Sequence, residues 1–250
     1  MKILKSIYEN EVEVKEISVL KSLFIIIMFT LIPGIINFLS TFIMILIDEN
    51  ISIGSVMIIA GIILIPVHMI IIIMVGKKYT QKDIIKINDK KVKINNKDFL
   101  YVFLIIIGYI LIREAILFDV LSQFEGPISE DDIDFFIDNA ETIEVVIFGF
   151  LMYFQTLITA PIFEELLFRG IILNGLLNKY KNSSKKAIIY SAMVFGLVHL
   201  NIPQGINAFI GGIILGFIYC YTKSMKLSIF AHFINNLITF VPVPESLIFK

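Results

Sequence analysis

Seven apolar runs, most of them set apart by polar breaks, constrain this chain more than any other feature. They cover about 22–47, 51–76, 99–120, 142–163 with a helical extension to about 177, 187–202, 205–221 and 227–243. A helix needs about 20 apolar residues to cross a hydrocarbon core, and most of these runs reach or approach that length. Hydrophobic residues make up 57% of the 250 and charged residues 17%, whereas a soluble domain carries about a quarter charged. The chain is therefore expected to be all-α, a polytopic transmembrane bundle of seven spans, or eight. It is one integrated membrane unit, with amino-terminal helices and loops over 1–141 and a core over 142–250.

The charges between the runs set a direction. Residues 77–98 carry eight lysines; Lys179, Lys181, Lys185 and Lys186 fill the next basic break, and Lys223 and Lys226 a short one. Residues 121–141 have no Lys or Arg but hold Glu125, Glu130, Asp131, Asp132, Asp134, Asp138 and Glu141. Lysine excess marks cytoplasmic loops, and every lysine-rich break falls on one side when the spans are counted. The amino terminus is thus expected on the cytoplasmic side of a cell membrane and the acidic loop outside. The first twenty residues, dense in both charges, read as a surface helix or as disordered chain. A net charge of −1 with no separate basic stripe argues against a nucleic-acid partner. Lone Cys220 offers no disulfide, and abundant Ile, Phe, Lys and Asn suit an AT-rich, bacterial genome.

Ionisable residues inside spans cost at least about 2.5 kcal/mol each and are retained where they face protein or water-filled cavities. Residues 161–170, PIFEELLFRG, hold two carboxylates and an arginine. Glu165 and Arg169 stand four apart and pair on one helical face, while Glu164 is rotated away and left available. Pro161 is expected to kink the helix and free backbone groups. His199 lies in the next run, and His232 and Asn236, again four apart, in the last. These groups can meet in one cavity nearer the cytoplasmic end. There Glu164, His199 and His232 could bind a zinc ion with an open position for water. Alternatively, Glu164 and His199 activate water without metal, and His232 with Asn236 stabilises an oxyanion.

Plainer readings exist for each residue. The Glu–Arg pair could be a buried tie, His199 an interhelical hydrogen bond, and His232 with Asn236 polar glue between helices. Their presence in consecutive hydrophobic segments favours a shared site. His68, beside Pro66 in a span with no other ionisable group, reads as structural, as do the adjacent Arg113 and Glu114. Phe209, Gly212, Gly216 and Tyr219 read as a packing face. No His-Glu-x-x-His helix, intramembrane Gly-x-Ser turn or aspartate pair is present, so other membrane-protease chemistries lack their reagents.

Three motifs in this order resemble those of the CAAX prenyl-protease-like membrane peptidases, also called the abortive-infection or bacteriocin-processing family. They are Glu164-Glu165 with Arg169, Phe195 with His199, and His232 with Asn236, and the resemblance covers about 142–240. It implies an intramembrane peptidase in which Glu164 and His199 activate water, Glu165 and Arg169 orient the site, and His232 and Asn236 hold the oxyanion. Zinc is the cofactor such a site could take. The expected partner is a membrane protein or peptide precursor in the bilayer. Two other readings stand beside it: a bacteriocin-immunity or scaffold protein that binds without cleaving, and a small transporter using the intramembrane charges.

Overall fold

The computed structural model describes residues 2–9, 13–80, 94–121, 140–199 and 202–240. These form helices α1 (Lys2–Tyr8), α2 (Val19–Ile47), α3 (Ile53–Tyr79), α4 (Asn96–Leu121), α5 (Thr142–Lys179), α6 (Ser184–Leu197), α7 (Ile202–Thr222) and α8 (Met225–Phe240). Among the described residues the only other pairing is an isolated antiparallel bridge between Val14 and Thr80. The all-α expectation holds. Four helices, α2, α3, α5 and α7, are long and apolar enough to cross a membrane. Each remaining run is also helical, but α6 has 14 residues and α8 has 16, short of the about 20 that a full crossing takes. Most of the lysine-rich and acidic loops at 77–98 and 121–141 lies outside the described residues.

Local chemistry starts the helices where polar residues precede the apolar runs. Ser18, Ser52 and Ser183 each accept a backbone N–H through their hydroxyls at the first turns of α2, α3 and α6, satisfying donors that a helix start leaves open. The α5 start carries a capping box between Glu141 and Glu144. Glu144 also accepts from the Ser55 hydroxyl at 2.6 Å and from Ser52, which ties α5 to the start of α3.

Of the two expectations for the amino terminus, the helix holds over Lys2–Tyr8, on the surface apart from Ile7, and residues 13–17 form a strap against the bundle. Ile7, Val14 and Ile17 are buried. Ile17 N–H donates to Gly175 O at 3.0 Å, Lys15 N–H to Tyr79 O at 2.8 Å, and Asn178 Nδ2 to Val14 O at 2.6 Å. The strap over 13–17 thereby joins the ends of α3 and α5 and gathers the lysine-rich segments at one end of the bundle. A side chain at Gly175 would overlap Ile17. Gly175→Val is therefore expected to expel the strap, read as faster limited proteolysis within the first twenty residues; unchanged cleavage would mean that Ile17 is not held.

The helix α7 packs on α6 through small residues. A Cβ on Gly212 would come within 3.1 Å of Ala192 Cα, and one on Gly216 within 3.2 Å of Ile188. This is the packing face expected from the glycine spacing, and it brings the backbone of α7 close to the buried part of α5.

Candidate active site

The long helix α5 is not uniform. Two π-helical turns, Gln155–Thr159 and Phe168–Leu173, flank the α-helical Ala160–Leu167 that carries both glutamates. In the first turn Ala160 N–H reaches Gln155 O, five residues back. The next bond in that register would run from residue 161 to Thr156 O, but Pro161 has no N–H to give. Asn236 Nδ2 donates to Thr156 O instead, at 2.9 Å. The proline thus opens a carbonyl, and the asparagine of another helix occupies it, which is how freed backbone groups are satisfied inside a membrane. The disturbance expected at Pro161 takes this form.

Glu165 and Arg169 pair as their spacing predicts. Arg169 Nη1 lies 2.7 Å from Glu165 Oε1, with the two side chains 1% and 0% exposed. Arg169 Nη2 donates to Gly212 O at 3.2 Å, a contact that needs the close approach of α7. Its guanidinium lies 4.8 Å from the Phe195 ring centre, a cation–π distance. Glu165 Oε1 also faces His232 Nδ1 at 3.0 Å, and Oε2 accepts from Ser228. One carboxylate therefore holds three donors from two helices. It is fully engaged, and its work is to position the others. Ser228 was not read from the sequence, although it stands four residues before His232 on the same face of α8.

Glu164 is the available carboxylate. Its side chain is 21% exposed, and its Oε2 lies 3.7 Å from His232 Nε2, beyond direct hydrogen-bond length. Glu164, His199, His232 and Asn236 all line one cavity of about 480 Å³. Phe195 sits among them, with ring centres 5.2 Å from His199 and 5.9 Å from His232. Its place four residues before His199 makes it the aromatic spacer between Arg169 and the two imidazoles. The structure thus brings together the six residues singled out by sequence: four on the cavity, and Glu165 and Arg169 buried behind them.

The histidines are oriented by what their Nδ1 atoms meet. His199 follows the end of α6, with Nδ1 3.1 Å from Phe195 O. A carbonyl can only accept, so Nδ1 carries the proton and the neutral ring keeps its lone pair on Nε2. His232 is fixed the same way by the Glu165 carboxylate. Asn236 uses one Nδ2 hydrogen on Thr156 and retains the second.

Two expectations need adjustment. The cavity does not stand near the lysine-rich end. Besides the motif residues it is lined by Arg113, Gln204 and Thr239, and the last two lie near the α7 start and the α8 end, away from the lysines. His232 follows Lys226 by six residues, but α8 does not begin flush with the surface, since Met225, Leu227 and Ser228 are already buried. As for zinc, among the described residues no three His, Cys, Asp or Glu side chains stand close enough to share an ion. Glu164 and His232 approach each other without His199 completing the set, so the donors as placed do not fit the metal.

Residues 146–238 match the family model described as Type II CAAX prenyl endopeptidase Rce1-like. A protein of Bacillus subtilis (strain 168) bearing the provisional name membrane peptidase YdiL is 34% identical over 95 residues, 38% of this chain. The match covers 37% of that relative's length. No solved structure matches the chain. The family resemblance drawn from the three motifs holds over this segment, which contains all six site residues.

Proposed function

Residues 146–238 are a CAAX-protease-like segment, and from that premise we propose that the chain is an intramembrane peptidase. Its substrate is a membrane-associated protein or peptide precursor, cleaved by direct attack of water. The observation that carries this reading is the division of labour between adjacent glutamates. Glu165 is saturated with donors in the protein interior, while Glu164 faces the cavity with His232 Nε2 at 3.7 Å and His199 lining the same space.

Glu164 and the neutral Nε2 of His199 are the groups that can take a proton from water. The hydroxide oxygen then bonds to the peptide carbonyl carbon. Asn236 offers its second Nδ2 hydrogen to the oxyanion that forms, and His232 donates to it from Nε2 where that atom carries a proton. On collapse the C–N bond breaks, and the proton taken from water passes to the leaving nitrogen. No step requires Glu165, whose contribution is to hold Arg169, Ser228 and His232 in place.

The test compares membrane peptide profiles from cells expressing the natural chain and Glu164→Ala at equal abundance. The expected result is at least one cleaved product present with the natural chain and missing with the variant. Identical profiles would overturn the peptidase reading.

A further inference from the structure

All three histidines of the chain line the same cavity. The third, His68, comes from α3, outside both the matched segment and the motifs. Sequence reading assigned it to structure, because its span holds no other ionisable group. Its placement says otherwise. His68 Nδ1 lies 2.8 Å from Leu64 O, so the carbonyl fixes the proton on Nδ1 and leaves the neutral ring's lone pair on Nε2. The ring packs edge-on against Phe29 with centres 4.7 Å apart, which holds it in place. Among the described residues Nε2 has no hydrogen-bond partner.

Two more groups in this cavity share that polarity. Asn207 and Asn235 line it, and each has a buried side-chain oxygen without a partner among the described residues. The Asn235 orientation is set by a directional chain. Thr156 O can only accept, so Asn236 must present Nδ2 to it; Asn236 Oδ1 then accepts from Asn235 Nδ2 at 3.2 Å. What remains on Asn235 is an acceptor. His68 Nε2 and the Asn207 and Asn235 side-chain oxygens are thus unfilled acceptors, set in the cavity beside the hydrogen that Asn236 keeps, and an acceptor left unpaired in an apolar interior is costly. The occupant that relieves it brings donors.

We propose that His68, with Asn207 and Asn235, recognises the main-chain N–H groups of a peptide bound in extended form, His68 Nε2 accepting one of them. This rests on the peptidase reading and adds its substrate class: a segment whose backbone N–H groups are not already consumed in a helix. An extended chain presents such donors at regular intervals, and a transmembrane helix presents none along its middle. His68 is accordingly a substrate-touching residue supplied from outside the matched segment.

The experiment uses the full chain in liposomes and a synthetic library of hydrophobic quenched peptides, taking forward one peptide that the natural protein cleaves. That peptide is then N-methylated one position at a time and, separately, acetylated at its amino terminus. One N-methylation is expected to lower kcat/KM about tenfold with the natural protein, the value of about one hydrogen bond. In His68→Phe, which keeps an aromatic ring against Phe29, the unmodified peptide should lose about tenfold through KM, and that methylation should cost nothing further. His68→Gln, which returns an acceptor, should recover most of the loss. Methylation penalties equal in the natural protein and His68→Phe would overturn the proposal, as would a loss that follows acetylation instead, since the acceptors would then hold an ammonium group. If the natural protein cleaves no peptide, the peptidase reading fails and the inference with it; cleavage with unaltered methylation penalties removes the inference alone.

Discussion

Glu165→Gln is expected to remove most of the folded protein. The carboxylate accepts from Arg169, Ser228 and His232, and a glutamine offers one oxygen while turning amide hydrogens toward donors. Arg169, 1% exposed, would remain charged without its counter-ion. Breaking a buried pair in this way costs about 3–5 kcal/mol, a large part of the about 5–15 kcal/mol that a whole domain has. The check is the yield of monodisperse protein in detergent and its melting temperature. The double variant Glu165→Gln with Arg169→Met should recover part of the loss, because it removes the orphaned charge along with its partner. Natural yield and melting temperature in Glu165→Gln alone would contradict the assignment.

Glu164→Gln should do the reverse. The side chain is partly exposed to the cavity, and its Oε2 stands 3.7 Å from His232 Nε2, beyond direct hydrogen-bond length, so little of the fold depends on it. Yield and melting temperature should stay close to natural values. Peptide hydrolysis should fall by about a hundredfold to ten-thousandfold, the range for losing a positioned general base. The measurement is initial cleavage rate per folded molecule in liposomes. A variant that folds poorly while keeping its rate would exchange the roles of the two glutamates.

The difference between these neighbours was legible in the sequence, because i to i+4 spacing depends only on helical geometry, and Glu165 with Arg169 satisfied it inside an apolar run. The convergence of Glu164, His199 and His232 was also readable, since ionisable groups in consecutive membrane segments need each other. What escaped depends on how helices meet. The bond from Asn236 to Thr156 O requires a π turn ahead of Pro161, and no side-chain pattern announces which carbonyl a proline will open. His68 was read as structural because its own span gave it no company; its partners in the cavity come from other helices. The amino-terminal strap was misread for a related reason. Its many charges hid the spacing of Ile7 and Ile17, which fit against Gly170 and Gly175 only once α5 is in place.

Cleavage of a susceptible peptide by the purified chain in liposomes, run in water enriched in heavy oxygen, tests the central claim most directly. The account predicts two fragments from the natural protein, with one heavy oxygen in the newly formed carboxylate. It predicts none above background from Glu164→Gln at equal folded concentration. Cleavage at the same rate by both proteins, or a new carboxyl terminus without label, would contradict water activation at Glu164.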